Sequence, residues 1–191
     1  GIRDYKVTGV PTCALPILMP FSLGAPTTAE NGIIRMGLTT AATTLGYTGT
    51  GHTSDRIIGM QGTTGGVTLD ADGTGALVLG GVRTENAGNK TLTLRGSSAA
   101  GLENATGQIR EVGAVLSVLK TDANTWAYNQ SQSYTGTTSV DNGILRLNAT
   151  QTMTGALQFG SINAITTTGT LEVKESSAFG SLLVRPNGDA N

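Results

Sequence analysis

The feature that most constrains this chain is a recurring triplet, apolar-x-apolar, bounded by Gly, Asn, Asp or Thr. It recurs at Ile57–Met60, Val67–Leu69, Leu77–Leu79, Leu92–Leu94, Leu116–Leu119, Trp126–Tyr128, Leu145–Leu147, Leu157–Phe159, Leu171–Val173 and Leu182–Val184. Period-two alternation marks half-buried strands, and the flanking residues are turn formers. Helices are disfavoured throughout, because 31 threonines and 28 glycines oppose helix formation. The stretch Leu18–Thr44 is the most ambiguous, since Thr39–Thr44 breaks any helix that Ile33–Leu38 begins.

Short strands of this spacing suit a sandwich, a barrel or a solenoid. Turns separate them. Two-residue hairpin signals are few: Asn31-Gly32, Asp72-Gly73, Asn142-Gly143 and Asn187-Gly188. Strand-turn-strand units instead recur at 24 to 29 residues between Leu92, Leu116, Leu145 and Leu171, the range of solenoid coils. Charged residues make up only 13% with a net charge of −1, which leaves no basic surplus to displace counterions from nucleic acid. No apolar run reaches the length of a membrane-spanning helix.

Residues 1–17, GIRDYKVTGVPTCALPI, lack the Thr/Gly/Asn texture of the rest and hold the only cysteine, Cys13. Pro16 and Pro20 interrupt the apolar stretch that a signal peptide needs. The segment resembles a translated short-read sequencing adapter: GIRD, a barcode gap at Tyr5-Lys6, then VTGV-x-TCALPI, with Pro11 the one departure. The expected organisation is an adapter-derived segment over 1–17, a degenerate solenoid lead-in over 18–55, and solenoid repeats over 56–191.

Residues 116–148 read LSVLKTDANTWAYNQSQSYTGTTSVDNGILRLN. This segment resembles the autotransporter-associated β-strand repeat, L-x-L-x-K-x-G-x-G-T-W-x-L followed by YTG-x-T-x-V-x-x-G-x-L-x-L. The matching positions are Leu116, Val118, Lys120, Thr125, Trp126, Tyr134, Thr135, Gly136, Thr138, Val140, Gly143, Leu145 and Leu147. Asp122 and Asn124 stand where the pattern has glycines, and Tyr128 where it has leucine. The resemblance implies a right-handed parallel β-helix in the exported passenger of a Gram-negative surface protein, joined to a C-terminal membrane β-barrel. Glycans or neighbouring cell surfaces are the partners it implies, with no cofactor and no nucleic acid. In such a coil the alternate leucines point inward, Gly136 and Gly143 serve tight bends, and Trp126 and Tyr134 keep their NH and OH near the surface.

Candidates for chemistry are sparse. His52 is the sole histidine, and Gly51-His52-Thr53 resembles the Gly-His-Gly of β-helical pectin hydrolases only superficially; an exposed loop His accounts for it better. Asp70-Ala71-Asp72-Gly73 opens like a calcium loop, yet the twelfth position is Gly81, so a polar turn is the better account. Glu172 and Glu175 have no carboxylate partner at a glycosidase spacing. Gly88-Asn89-Lys90-Thr91 lacks the Gly before Lys of a phosphate loop. Sequons at Asn89, Asn104, Asn129 and Asn148 are chance products of an Asn- and Thr-rich chain.

The expectation is therefore a non-catalytic structural or adhesive segment with a polar face of Thr, Asn and Ser. The alternatives are a β-helical polysaccharide lyase or hydrolase and a phage or S-layer fibre module. Leu145 and Leu147 should face inward and Arg146 outward, where its replacement by Ala should cost within about 0.5 kcal/mol. Deleting residues 1–17 should leave the unfolding transition unchanged; loss of cooperative unfolding would show that the segment belongs to the fold.

Overall fold

A computed structural model describes residues 28, 30–99, 101–160 and 168–184. The chain divides into two compact units, 1–32 and 33–191. In the first, Thr28 receives the Gly32 N–H on its carbonyl (3.1 Å) and the Asn31 N–H on its hydroxyl (3.2 Å), forming a turn. The adapter-like segment 1–17 and the Asn187-Gly188 turn lie outside the described residues, as does most of the lead-in before Ile33.

The second unit is all β among its described residues. Its strands in chain order are β1 (Ile34–Met36), β2 (Thr43–Tyr47), β3 (Thr50–Met60), β4 (Val67–Ala71), β5 (Gly75–Thr84) and β6 (Lys90–Arg95). They continue as β7 (Glu103–Arg110), β8 (Leu116–Lys120), β9 (Thr125–Tyr128), β10 (Thr138–Val140) and β11 (Ile144–Leu147). The last are β12 (Gln151–Thr152), β13 (Ala156–Phe159), β14 (Thr170–Val173), β15 (Ser177–Ala178) and β16 (Ser181–Val184). All ten segments expected from alternation lie within these strands.

Two seven-stranded sheets face one another. One has the order β1-β3-β5-β7-β9-β11-β14, the other β2-β4-β6-β8-β10-β13-β16, and β12 pairs with β15 in a small third sheet. Every strand pairing is parallel. The chain alternates between the sheets and returns one strand further along each time. The result is a parallel β-solenoid of about six turns.

Coil length varies. Ile58 pairs with Val82, Val82 with Ile109, Trp126 with Leu145, and Leu145 with Leu171. The step from Leu116 to Leu145 does not join equivalent positions, because Leu116 lies in the second sheet and Leu145 in the first. The expected seam between residues 55 and 56 falls inside β3, where the pairing with β5 shifts register between Ser54 and Ile57.

Register stacks side chains of the same parity into columns that run along the solenoid. One interior column is Leu77, Asn104, Trp126, Leu145 and Leu171, with the first step marked by an Asn104 side-chain bond to the Leu77 N–H. A second is Leu79, Thr106, Tyr128, Leu147 and Val173. In the opposite sheet, Leu45, Leu69, Leu94, Lys120, Val140, Phe159 and Val184 form a third. Apart from Val173 and Val184, which are exposed, the apolar members of these columns belong to one continuous core or pack against it.

Six strands, β1, β2, β7, β10, β12 and β15, lie outside the ten expected segments, and β7 and β1 show why. In β7, ENATGQIR, the inward positions at Asn104 and Thr106 are polar, so no apolar alternation marks them. β1, Ile34-Arg35-Met36, carries the same apolar-x-apolar triplet but lies in the ambiguous stretch before Thr39, and it is a strand rather than the start of a helix.

Leu145 and Leu147 are fully buried and Arg146 points out, as the alternation requires. Leu147→Ala removes a side chain stacked between Tyr128 and Val173, and should cost about 2–5 kcal/mol in urea unfolding. Arg146→Ala should cost more than the outward face alone suggests, about 1 kcal/mol, because its guanidinium pairs with both Glu103 (2.5 Å) and Glu172 (2.6 Å). Amide exchange in the Leu147→Ala variant should accelerate in β9 and β14 more than at Ile58–Met60, since each coil touches only its neighbours. Equal acceleration everywhere would mean that the coils unfold as one block.

Candidate functional site

The thirteen repeat-motif residues fall on β8 to β11 and the turns joining them. Leu116 and Val118 face inward on β8, and Val140 and Thr138 stack beside Lys120 and Val118 on β10. Trp126 is fully buried on β9, and its indole N–H donates to the Arg95 carbonyl at 3.1 Å. Tyr134 is also buried. Its hydroxyl bonds Thr138 Oγ1 (2.6 Å) and the Tyr128 hydroxyl (3.0 Å), with the two tyrosine rings edge-to-face at 6.5 Å. The expected surface placement of the Trp126 NH and Tyr134 OH is therefore corrected: both find partners inside, so full burial leaves no polar group unpaired.

The turns explain the glycines and the departures from them. Gly143 has φ +70°, and a Cβ there would press on the Asp122 and Asn124 carbonyls. A Cβ on Gly136 would meet the Leu116 carbonyl, which already receives the Gly136 N–H at 3.1 Å. Asp122, standing where the repeat has glycine, is itself left-handed at φ +59°, a conformation that Asp tolerates better than most residues. Asn124 is buried and uses its amide to donate to the Arg95 carbonyl (3.0 Å). Thr125 is buried and its carbonyl accepts from Asn104, while exposed Thr135 donates to Glu111 at 2.6 Å.

The residues considered for chemistry are dispersed. His52 sits on β3 opposite Leu77 rather than in a loop, and partial burial lowers its pKa. Asp70 pairs with Arg95 at 2.5 Å. Asp72 receives the Ser97 hydroxyl (2.8 Å) and N–H (2.7 Å), which hold its carboxyl below the ordinary range. Lys90 turns back on its own loop and donates to the carbonyls of Asn86, Ala87 and Gly88 at 2.6, 3.1 and 2.9 Å. Glu172 and Glu103 are joined through Arg146, a pairing invisible in a one-dimensional search because 43 and 26 residues separate the partners. Among the described residues no group of three or more His, Cys, Asp or Glu could hold a metal ion. Of the four sequon asparagines, Asn104 is fully buried and bonds the Leu77 N–H, Ser98 Oγ and the Thr125 carbonyl, so it cannot carry a glycan in the folded chain.

What the fold does assemble is two unlike outer faces. On the second sheet, Thr44, Thr68, Thr93, Leu119, Ser139, Gln158 and Leu183 form one outward column, and Thr91 and Ser117 begin another. Strand stacking spaces these side chains at about 4.8 Å. On the first sheet, Arg35, Gly59, Arg83 and Arg110 share a column. Glu85 leans across Gly59 and takes Arg35 (3.1 Å), Arg83 (2.8 Å) and Gln61 (3.3 Å). The hydroxyl face was legible from the Thr content; the ionic face was not, since its partners come from different coils. No known family, curated protein or solved structure matches the chain.

Lys120 is, with Lys90, one of two buried lysines at inward positions among the described residues, and it stands in the column of Leu94 and Val140. Its ammonium donates to the carbonyls of Thr121, Asp122 and Asn142 at 2.5, 2.8 and 3.1 Å, bracing the turn after β8 against the turn after β10. Burial lowers its pKa from 10.5 to about 8, with Asp122 pulling the other way. Between pH 8 and 10.5 the unfolded chain thus holds more protons than the fold at this site, and stability rises with pH. Tyr134, pushed up to about 12 by burial, and Tyr128, also raised, act oppositely: the unfolded phenols ionise near 10, so stability falls above that pH. Urea unfolding from pH 7 to 11 should show a rise that turns over near pH 10. Lys120→Met should flatten the rise and keep the fall; identical pH profiles would show that Lys120 does not titrate in this range.

Proposed function

We propose that this chain is a non-catalytic structural or adhesive segment of an exported bacterial surface protein, of the kind carried as a passenger on an outer-membrane β-barrel. The observation that carries the reading is the outward column of Thr44, Thr68, Thr93, Leu119, Ser139 and Gln158, a row of neutral hydrogen-bonding groups interrupted by Leu119. A row at strand spacing offers a repeated donor and acceptor pattern to a polymer lying across the coils, and glycans present hydroxyls in such repeats. The repeat-motif likeness of residues 116–148 supports the same class.

Several of the charged groups that a hydrolase or lyase could use are engaged elsewhere. Lys90 and Lys120 hold turn carbonyls, and Asp70, Glu85, Glu103 and Glu172 are paired with arginines. Recognition on this reading is polar and uncharged, so added salt should change it little.

Purified chain should bind immobilised neutral polysaccharide, and the combined Thr68→Val and Thr93→Val substitutions, isosteric but without hydroxyls, should weaken retention several-fold with the fold intact by circular dichroism. Release of new reducing ends from polygalacturonate or another polysaccharide, lost on His52→Ala, would overturn the reading in favour of an enzyme.

A further inference from the structure

The Asn142-Gly143 turn joins β10 to β11 at the point that Lys120 braces. Both residues are partly exposed, so water reaches the turn. The Asn142 side chain folds back on the main chain that follows it, and its Oδ1 accepts the Gly143 N–H at 2.7 Å. The side-chain carbonyl carbon, Cγ, lies one C=O bond, about 1.2 Å, from that oxygen. The Gly143 nitrogen and Asn142 Cγ are thus held side by side, and glycine brings no side chain to obstruct their approach. Two further contacts act on the same groups. The Lys120 ammonium donates at 3.1 Å to the main-chain carbonyl of Asn142, which belongs to the peptide unit that carries the Gly143 nitrogen. A cation there favours the charge this unit takes on when its N–H is lost. The Thr168 hydroxyl donates at 2.7 Å to Asn142 Oδ1, the atom on which negative charge develops when Cγ is attacked. The turn at Asn31-Gly32 is built differently: its glycine N–H donates to the Thr28 carbonyl.

We propose that Asn142 is a self-modification site, at which the fold promotes conversion of the asparagine to aspartate and isoaspartate. The Gly143 nitrogen gives its proton to solvent and bonds to Asn142 Cγ. The bond from Cγ to Nδ2 breaks, and Nδ2 takes up a proton and leaves as ammonia, which closes a cyclic imide. Water then adds to one of the two imide carbonyls and the C–N bond there breaks. One water is consumed and one ammonia released, with no oxidant or reductant. Opening at Cγ gives aspartate. Opening at the main-chain carbonyl gives isoaspartate, whose main chain runs through Cβ and Cγ. The former main-chain carbon then becomes a carboxylate that keeps the oxygen Lys120 holds, so the buried ammonium gains a carboxylate where it had a carbonyl. The proposal is independent of the glycan reading, since it uses a turn and not the hydroxyl face.

Incubation of the full chain at mildly alkaline pH, followed by peptide mapping that separates the asparagine, aspartate and isoaspartate forms, tests it. Conversion at Asn142 should be faster in the folded chain than in the same chain held unfolded in guanidinium chloride. Thr168→Val removes an exposed hydroxyl and should leave the far-ultraviolet dichroism unchanged. It should slow conversion in the folded chain roughly tenfold, the effect of one hydrogen bond to a developing charge, and leave the rate in denaturant as it was. Conversion in the folded chain no faster than in denaturant would overturn the proposal. So would a folded-state rate that Thr168→Val does not change.

Discussion

The parallel backbone ladder between successive coils is the interaction on which everything else depends. Because its register is continuous through most of seven strands per sheet, it fixes which side chain stands over which for the length of the solenoid. An inward position in one coil is inward in the next, so the column rather than the residue becomes the unit of packing. A leucine in such a column is covered above and below by neighbours about 4.8 Å away, and this covering, more than contact across the coil, removes it from water. The bulge between Ser54 and Ile57 in β3 is the place where the register must be re-set, and pairing resumes with Ile57 against Gly81.

That geometry makes a polar residue in a column expensive unless its partners lie within the same or adjacent coils. The interior meets this condition by stacking. Asn104 bonds backbone on both neighbouring coils, Leu77 before it and Thr125 after it. Gln151 accepts from the Gln132 N–H at 2.9 Å and donates to the carbonyls of Gln130 and Ala149, while the Gln132 side chain accepts from the Ile109 N–H. Lys120 carries the same logic to a full charge, with three carbonyls around the ammonium in place of a carboxylate. Each of these groups bridges coils, so the polar interior adds directional ties to a stack otherwise held by apolar contact and ladder bonds.

The sequence revealed those parts of the fold whose information is local. Alternating leucines identified strands because period two is written in adjacent residues. Gly143 and the Asn142-Gly143 turn were legible because a left-handed residue has a compositional mark, and even the departure at Asp122 keeps that conformation. The candidate face of threonines could be anticipated from composition. What could not be read was anything set by coil length. The repeat step from Leu116 to Leu145 looked like one coil, but it crosses from one sheet to the other, because the coil there is short: Val118 already pairs with Thr138, and Trp126 with Leu145. Without those lengths no argument can place Glu103 beside Arg146, or Glu85 between Arg35 and Arg83. The polar inward residues of β7 were hidden for a related reason: Asn104 is suited to the interior by partners on the coils before and after it, and Thr106 by a bond to the adjacent Gly107 carbonyl, not by their own hydropathy.

The two outer faces follow from the same constraint and diverge in chemistry. Both are made of residues that the ladder leaves free to vary, since an outward side chain does not enter a column of the core. On the first sheet that freedom is spent on charges joined across coils, Arg35–Glu85–Arg83 at one end and Glu103–Arg146–Glu172 at the other. Ties of this kind saturate the ionic groups with one another and leave little charge to offer a ligand. On the second sheet the outward column is largely hydroxyl and amide, groups that retain unused donor and acceptor capacity after any single bond. A face whose groups are mutually satisfied serves the scaffold; a face whose groups keep spare capacity, at a fixed repeat, can serve recognition. On the proposed reading such a division of labour rests on the ladder, which keeps the parity of residues constant from coil to coil outside the register shift in β3.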